Sequence, residues 1–494
     1  MNRDSIQDAL NHISDKHIAE AATAKKRRYA PYIAAIAACL ALVITLGIVL
    51  PKGNPSAQNG TTPPRIDVSP TNPNLILEDH LLASPVLPTM EPYPTDQENL
   101  QRWSAQEKAW QDCRNVLHSA PSGYVNSLNT FWQQSIPIYL TENGSNNAVY
   151  SPINLYMALA ILAQTTGGET RQEILTLLGA DNMEILSAQA KLVFENHYEN
   201  DGVHTCILAN SLWLDDIYPF DRTCVDKIAE NFYASVYQGA LESPEMNIAL
   251  KSWLNEQTGG LLEDSIRDLK PMDLETALVI ASTIHYRCKW TSEFNSDRNT
   301  QDVFHSPAGE RTVTYLNKTM TYGTYLRGED YSATYLSLDD GSRMWLILPD
   351  ENTSPDTLLT SGQAINTILG TQAPDTQTLK INLSVPKFDI SADMDLISGL
   401  KAMGLSQVFD TENGDFSSIC PQDCDLYLDT AKQAVRFSID EVGATGVAYT
   451  VLMMNPGSAM PPTEEIDFTL DRPFLFIVES SDGLPLFTGI VNQP

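Results

Sequence analysis

Residues 439–450 read Ile-Asp-Glu-Val-Gly-Ala-Thr-Gly-Val-Ala-Tyr-Thr. From Ala444 onward every second side chain is small: Ala444, Gly446, Ala448 and Thr450. Thr445, Val447 and Tyr449 between them favour β-structure. Strand residues point alternately to opposite faces, so this segment suits a sheet in which one face needs little room. It runs directly into Met453-Met454-Asn455-Pro456-Gly457-Ser458-Ala459-Met460-Pro461-Pro462, which reads as an exposed loop. The stretch is competent to be loop in one state and strand in another.

The chain has 494 residues, 43% of them hydrophobic, enough for one large domain with appendages. Residues 1–30 hold six basic and four acidic side chains and residues 31–50 hold none, so of the net −31 the remainder carries −33. Such acidity repels phosphate backbones and argues against a nucleic-acid partner. Pro31 to Leu50 is a charge-free run long enough to cross a bilayer as a helix, with Lys25-Lys26-Arg27-Arg28 just before it. The expectation is a membrane anchor over 31–50 in the cell membrane, with a cytoplasmic tail over 1–30 and everything after Lys52 outside. A cleaved signal peptide is the rival reading, against which stand the long leader and the lack of a clear Ala-x-Ala site. Residues 51–96 are expected to be an extended extracellular linker, since 53–96 alone contain nine prolines. Of the seven cysteines, Cys39 lies in the apolar run. Cys113, Cys206, Cys224, Cys288, Cys420 and Cys424 follow in spacings that form no familiar framework. Cys420 and Cys424 either close a small disulfide loop or remain thiols.

From about residue 97 helical and β-rich runs alternate. Residues 152–163 are almost wholly apolar, with Pro152 placed for a first helical turn. Residues 331–349 predict a hairpin turning at Asp339-Asp340-Gly341. Residues 472–491 predict two apolar strands around Ser-Asp-Gly. The class is α+β.

Further motifs occur in one order along the chain. They run Ser151-Pro152-Ile153-Asn154-Leu155, Gly168-Glu169-Thr170, Ala209-Asn210-Ser211-Leu212-Trp213, Trp253…Thr258-x-Gly260 and Trp290…Phe294. Val385-Pro386-Lys387-Phe388, Met403-Gly404, Asp415-Phe416-Ser417, Asp440-Glu441-x-Gly443, Asp471-Arg472-Pro473-Phe474 and Phe487-x-Gly489 follow them. In these motifs residues 120–494 closely resemble the serpin family, as a membrane-anchored member of bacterial type. Residues 97–119, with Trp103 and Trp110, fall outside the resemblance and predict an added helix.

The resemblance implies a serpin domain over 97–494, with three β-sheets, eight or nine helices and a mobile reactive loop over about 441–467. It implies a monomeric serine protease inhibitor whose loop, once cut, enters the central sheet. The alternation at Glu441, Gly443, Ala444, Gly446, Ala448 and Thr450 agrees with a hinge of that kind, because overpacking a sheet interior costs about 1–3 kcal/mol per site. About ten new ladder bonds at about 1 kcal/mol each would supply on the order of 10 kcal/mol for insertion. A non-inhibitory serpin acting as an extracellular binding or adhesion module is the alternative. By alignment Asn154, Ser282 and Gln433 stand at the buried polar cluster under the sheet opening, the shutter, with Gln433 where a His is usual. Cys288 replaces a common Gly and Tyr449 a common Ala.

The resemblance implies a cut at a set distance from the hinge Glu, which from Glu441 places the scissile bond between Gly457 and Ser458, with Met454, Ala459 and Met460 as alternatives. No Lys or Arg lies between Glu441 and Asp471. Small or apolar residues suit elastase-like, subtilisin-like or chymotrypsin-like serine proteases rather than trypsin-like ones. Glu464-Glu465 offers an acidic flank. None of the eight histidines sits in a metal-ligand or nucleophile spacing, and no cofactor motif occurs, so neither an enzyme nor a cofactor or metal is expected.

Overall fold

The computed structural model describes residues 40–49, 73–94, 100–121, 123–141, 144–267, 269–370, 374–422, 424–444 and 464–494. At its centre lies the helix Pro152–Thr165. It opens with Pro152 in the first turn and is buried along its whole length, which its charge-free sequence permits. Two nine-stranded ladders pack around the core to which it belongs.

The central ladder runs Phe388–Asp395, Tyr427–Ile439, Leu40–Val49, Thr276–Lys289, Thr205–Asp215, Ala234–Gly239 and Leu81–Ala83. Gly443–Ala444 and Glu199–Asn200 pair at its margins. The other ladder hangs on the 19-residue strand Gly309–Arg327. Gln377–Pro386 and Glu465–Thr469 lie on one side of it. Tyr331–Ser337, Arg343–Pro349, Phe474–Glu479, Pro485–Val491 and Ala148–Tyr150 continue on the other. The three-sheet expectation is thus met with two of the sheets joined through one strand. The expected hairpin is present, from Tyr331 opposite Pro349 to Ser337 opposite Arg343. So is the carboxyl-terminal pair, where a Cβ on Gly489 would lie 2.4 Å from the Phe476 ring and only glycine fits.

The amino-terminal expectations change. No helix among the described residues is long and apolar enough to cross a membrane. Where a spanning helix is expected over 31–50, Leu40–Val49 is a strand inside the central ladder; residues 31–39 and 50 lie outside the described residues. Its sequence allows this, since Val43, Ile44, Thr45, Ile48 and Val49 are β-branched. A central position also gives the backbone N–H and C=O groups partners on both edges.

The proline-rich stretch is likewise not extended throughout. Pro73–His80 is a helix and Leu81–Ala83 pairs with Ala234–Gly239. The Tyr93 N–H donates to Asp201 O at 2.9 Å, with His80 Nδ1 held 2.8 Å from Gln238 O. The added helix exists as Leu100–Leu117. Cys420 and Cys424 form a disulfide, while Cys113, Cys206, Cys224 and Cys288 are free.

Candidate functional site

The hinge begins where the Tyr427–Ile439 strand ends. Asp440 Oδ1 accepts from the N–H groups of Val442 at 2.9 Å and Gly443 at 3.1 Å, turning the chain back over the sheet. The Trp290 indole donates to Asp440 O at 2.9 Å, the Trp290 N–H to Val442 O at 3.1 Å and the Phe294 N–H to Glu441 O at 2.8 Å. The Trp290…Phe294 motif therefore moors residues 440–442, at the start of the expected hinge. Glu441 is held by Lys387 Nζ at 2.8 Å and by the Asn299 amide at 2.7 Å. Partial burial would raise its carboxyl, but these donors outweigh that and hold it below its ordinary value. Burial pushes the neighbouring Asp440 up, against its two backbone donors.

Gly443 has φ +133°, and a Cβ there would lie 2.5 Å from Trp290 N and 2.6 Å from Lys289 Cα. Only glycine lets the chain pass so close to this strand end. The result is a short ladder, Gly443 opposite Lys289 and Ala444 opposite Cys288. Gly446, Ala448, Thr450, the expected Gly457–Ser458 bond and its alternatives Met454, Ala459 and Met460 lie outside the described residues. The chain is described again from Glu464. Glu465 pairs with Lys380 at 2.9 Å and accepts from Asn382 at 2.9 Å, so the acidic flank is partly neutralised.

The three residues expected to form the shutter divide into two groups. Ser282 Oγ lies 2.6 Å from Asn154 Oδ1 and 2.7 Å from Asn210 Oδ1, so one hydroxyl proton serves two amide oxygens. Asn154 Nδ2 donates to Ser282 O at 3.1 Å and Asn210 Nδ2 to Phe232 O at 3.0 Å, which orients both amides. Gln433 joins neither. Its amide exchanges two 3.2 Å bonds with the backbone of Ser151, at the start of the central helix. Ser282, Asn154 and Gln433 are fully buried and every one of these polar groups has a partner. Between Ser282 and Gln433 in the ladder stands Ile44, the register partner of both. Asn210 is the member that alignment did not single out; a lone amide in a buried apolar strand is the signal that finds it.

Glu199, Asp201 and His204 converge at the margin of the same sheet. Asp201 is already saturated. Oδ1 accepts from the N–H groups of Val203 and His204, and Oδ2 takes the Trp110 indole and the His204 ring. The Arg114 guanidinium stands 3.0 Å from Glu199. With Asp201 saturated and a cation beside Glu199, the cluster serves as a clamp for the Leu100–Leu117 helix rather than as an open metal site.

A family profile described as "Serpin (serine protease inhibitor)" matches residues 127–494. The chain belongs to the serpin family, a family of serine protease inhibitors and not of enzymes. Serpin-Z1C of Triticum aestivum is 28% identical over 370 residues, covering 72% of this chain and 91% of the relative. Among solved structures, Arabidopsis AtSerpin1 in its native stressed conformation aligns with TM-score 0.65 at 21% identity, over 76% of this chain and 100% of that one. Human thyroxine-binding globulin complexed with thyroxine aligns with TM-score 0.61 at 18% identity, over 75% and 100%. At these identities the structures show the shared fold alone.

Proposed function

We propose that this protein inhibits elastase-like or subtilisin-like serine proteases, with chymotrypsin-like ones next, by offering the reactive loop over about 441–467 as bait. The cut at Gly457–Ser458, or beside Met454, Ala459 or Met460, frees the hinge side of the loop to zip into the central sheet with the protease attached. One observation carries this reading: Gly443 and Ala444 already pair with Lys289 and Cys288, so the first ladder step is in place. The absence of Lys and Arg between Glu441 and Asp471 supports the choice of targets. Mixing the protein with elastase is expected to give a covalent complex that survives boiling in SDS. Cleaved chain beside fully active protease, in detergent and with residues 31–50 in a bilayer alike, refutes the proposal.

The apolar run over 31–50 supports anchoring in the cell membrane, with the serpin domain outside and the amino-terminal tail in the cytoplasm. A charge-free run of this length must bury itself somewhere, and a bilayer is one such place. Protease protection of the tail in sealed vesicles tests the topology; digestion of the tail from outside overturns it.

A second reading, a non-inhibitory serpin serving as an extracellular binding or adhesion module, is favoured by one observation. The sheet position that a cut loop needs is filled by Leu40–Val49.

A further inference from the structure

The occupied position in the central sheet points to a built-in competitor for the loop. Leu40–Val49 lies antiparallel to both neighbours, with partners from Tyr286 to Thr276 on one side and from Arg436 to Tyr427 on the other. The hinge ladder approaches the same Thr276–Lys289 strand, also antiparallel, so loop and amino-terminal strand run in one direction. Continuing the Gly443–Lys289 and Ala444–Cys288 register inward brings Gly446 opposite Tyr286, Ala448 opposite Ile284 and Thr450 opposite Ser282. Those places are taken by Leu40, Leu42 and Ile44. The two segments claim one ladder, in one direction and residue for residue.

The surroundings are complete with the strand in place. Ser282 and Gln433 flank Ile44 in register, yet each has its polar partners elsewhere, at Asn154, Asn210 and Ser151. An apolar residue between them leaves neither polar group without a partner. Residues 40–49 carry no charge, and Leu40, Leu42 and Ile44 put larger residues at the register places that the loop would fill with Gly446, Ala448 and Thr450.

We infer that residues 40–49 are an intramolecular plug of the position that the cut reactive loop would enter, so that inhibition requires this strand to leave. The inference rests on the inhibitory reading above for its consequence, but not for the occupancy itself. A bilayer that takes up residues 31–50 would empty the position, which couples inhibition to anchoring.

Two variants of the full chain in mild detergent test it. Thr45 is the register partner of Lys432, so the T45C/K432C pair should oxidise to a cross-link found by peptide mass spectrometry. Val43→Pro removes a ladder donor from a central strand and should eject the plug. It is expected to raise the yield of SDS-resistant complex with elastase by about tenfold or more over the unmodified chain. A cross-link with no complex from either chain leaves the plug standing and refutes the inhibitory reading. No cross-link, with equal complex from both chains, overturns the plug and leaves inhibition intact.

Discussion

Lys387 Nζ lies 2.8 Å from Glu441 Oε2, fastening the residue before the Phe388–Asp395 strand to the first residue of the hinge. The pair spans 54 positions in sequence, so it ties the hinge to the outer edge of the sheet as Trp290 ties it to the centre. Both side chains are partly exposed, which limits the bond to about 0.5–1 kcal/mol.

Lys387→Met should therefore lower the melting temperature only slightly, while speeding proteolysis within the loop over about 441–467 under limiting protease. Glu441 is depressed below its ordinary value, so its contribution is present above the unfolded carboxyl value and lost as pH falls through the folded one. The difference between wild type and variant should shrink in acid. An identical digestion rate in both proteins would show that this bond does not restrain the loop.

Gly443→Val places a branched side chain at φ +133° with its Cβ against Trp290 N. A strain of about 1–3 kcal/mol is expected, enough to unpair Gly443 and Ala444 from Lys289 and Cys288. Hydrogen exchange at the Trp290 amide, which donates to Val442 O, should accelerate. Unchanged protection would mean that the hinge ladder does not depend on this glycine.

Ser282→Ala removes the one hydroxyl shared by the Asn154 and Asn210 oxygens. Two buried acceptors then lose their donor, for a cost of about 1–3 kcal/mol. Gln433→Leu should cost a similar amount by orphaning the Ser151 N–H, which Gln433 Oε1 now accepts from. Because the two groups share no bond, their losses should add in the double variant. Denaturant melts of the two single variants and the double variant measure this, and strong non-additivity would mean that they act as one network.

Ala444→Arg or Thr450→Arg should turn inhibitor into substrate, because a cationic side chain would have to enter the sheet interior. Stoichiometric trapping of elastase by either variant would count against insertion of these residues.

His197 sits between two acceptors, with Nδ1 2.7 Å from Val193 O and Nε2 3.1 Å from Asp482 Oδ1. Both nitrogens must carry a proton, so the ring is an imidazolium. Burial opposes that charge, but Asp482 overrides it and keeps His197 above 6.5; Asp482 in turn falls well below the usual carboxylate range despite its own burial. The His197 contribution is full below its unfolded value near 6.5 and is lost as pH rises through the folded value. The Asp482 contribution is full above its unfolded value near 3.8 and is lost as pH falls. His197→Gln should thus cost about 3–5 kcal/mol near neutrality and less in alkali. A wild-type-to-variant gap that stays constant in melts up to alkaline pH contradicts the ion pair.

Much of this was legible in the sequence. Pro152 with its apolar run, the turn at Gly341 and the paired strands around Gly483 are local signals, and all three elements stand where their patterns place them. Asn154, Ser282 and Gln433 could be named through the serpin resemblance. What could not be read from the sequence is long-range. Gln433 binds a backbone 282 positions away, and nothing near it in sequence announces that partner. Leu40–Val49 satisfies the length and hydropathy of a membrane span as well as the alternation of a strand. Only pairing with residues more than two hundred positions distant decides between them in this structure. Residues 73–94 look like a spacer by their prolines, yet His80, Leu81 and Tyr93 each find a backbone partner in the domain.

The belt formed by Pro73–His80, Leu81–Ala83 and Leu100–Leu117 grips the domain at Gln238, Tyr237, Asp201 and Glu199. It lies between the plug and the family core along the chain. A tug delivered through the amino end would be absorbed by this grip before reaching residue 127. The strand can therefore be drawn out like a bolt while the lock around it keeps its shape.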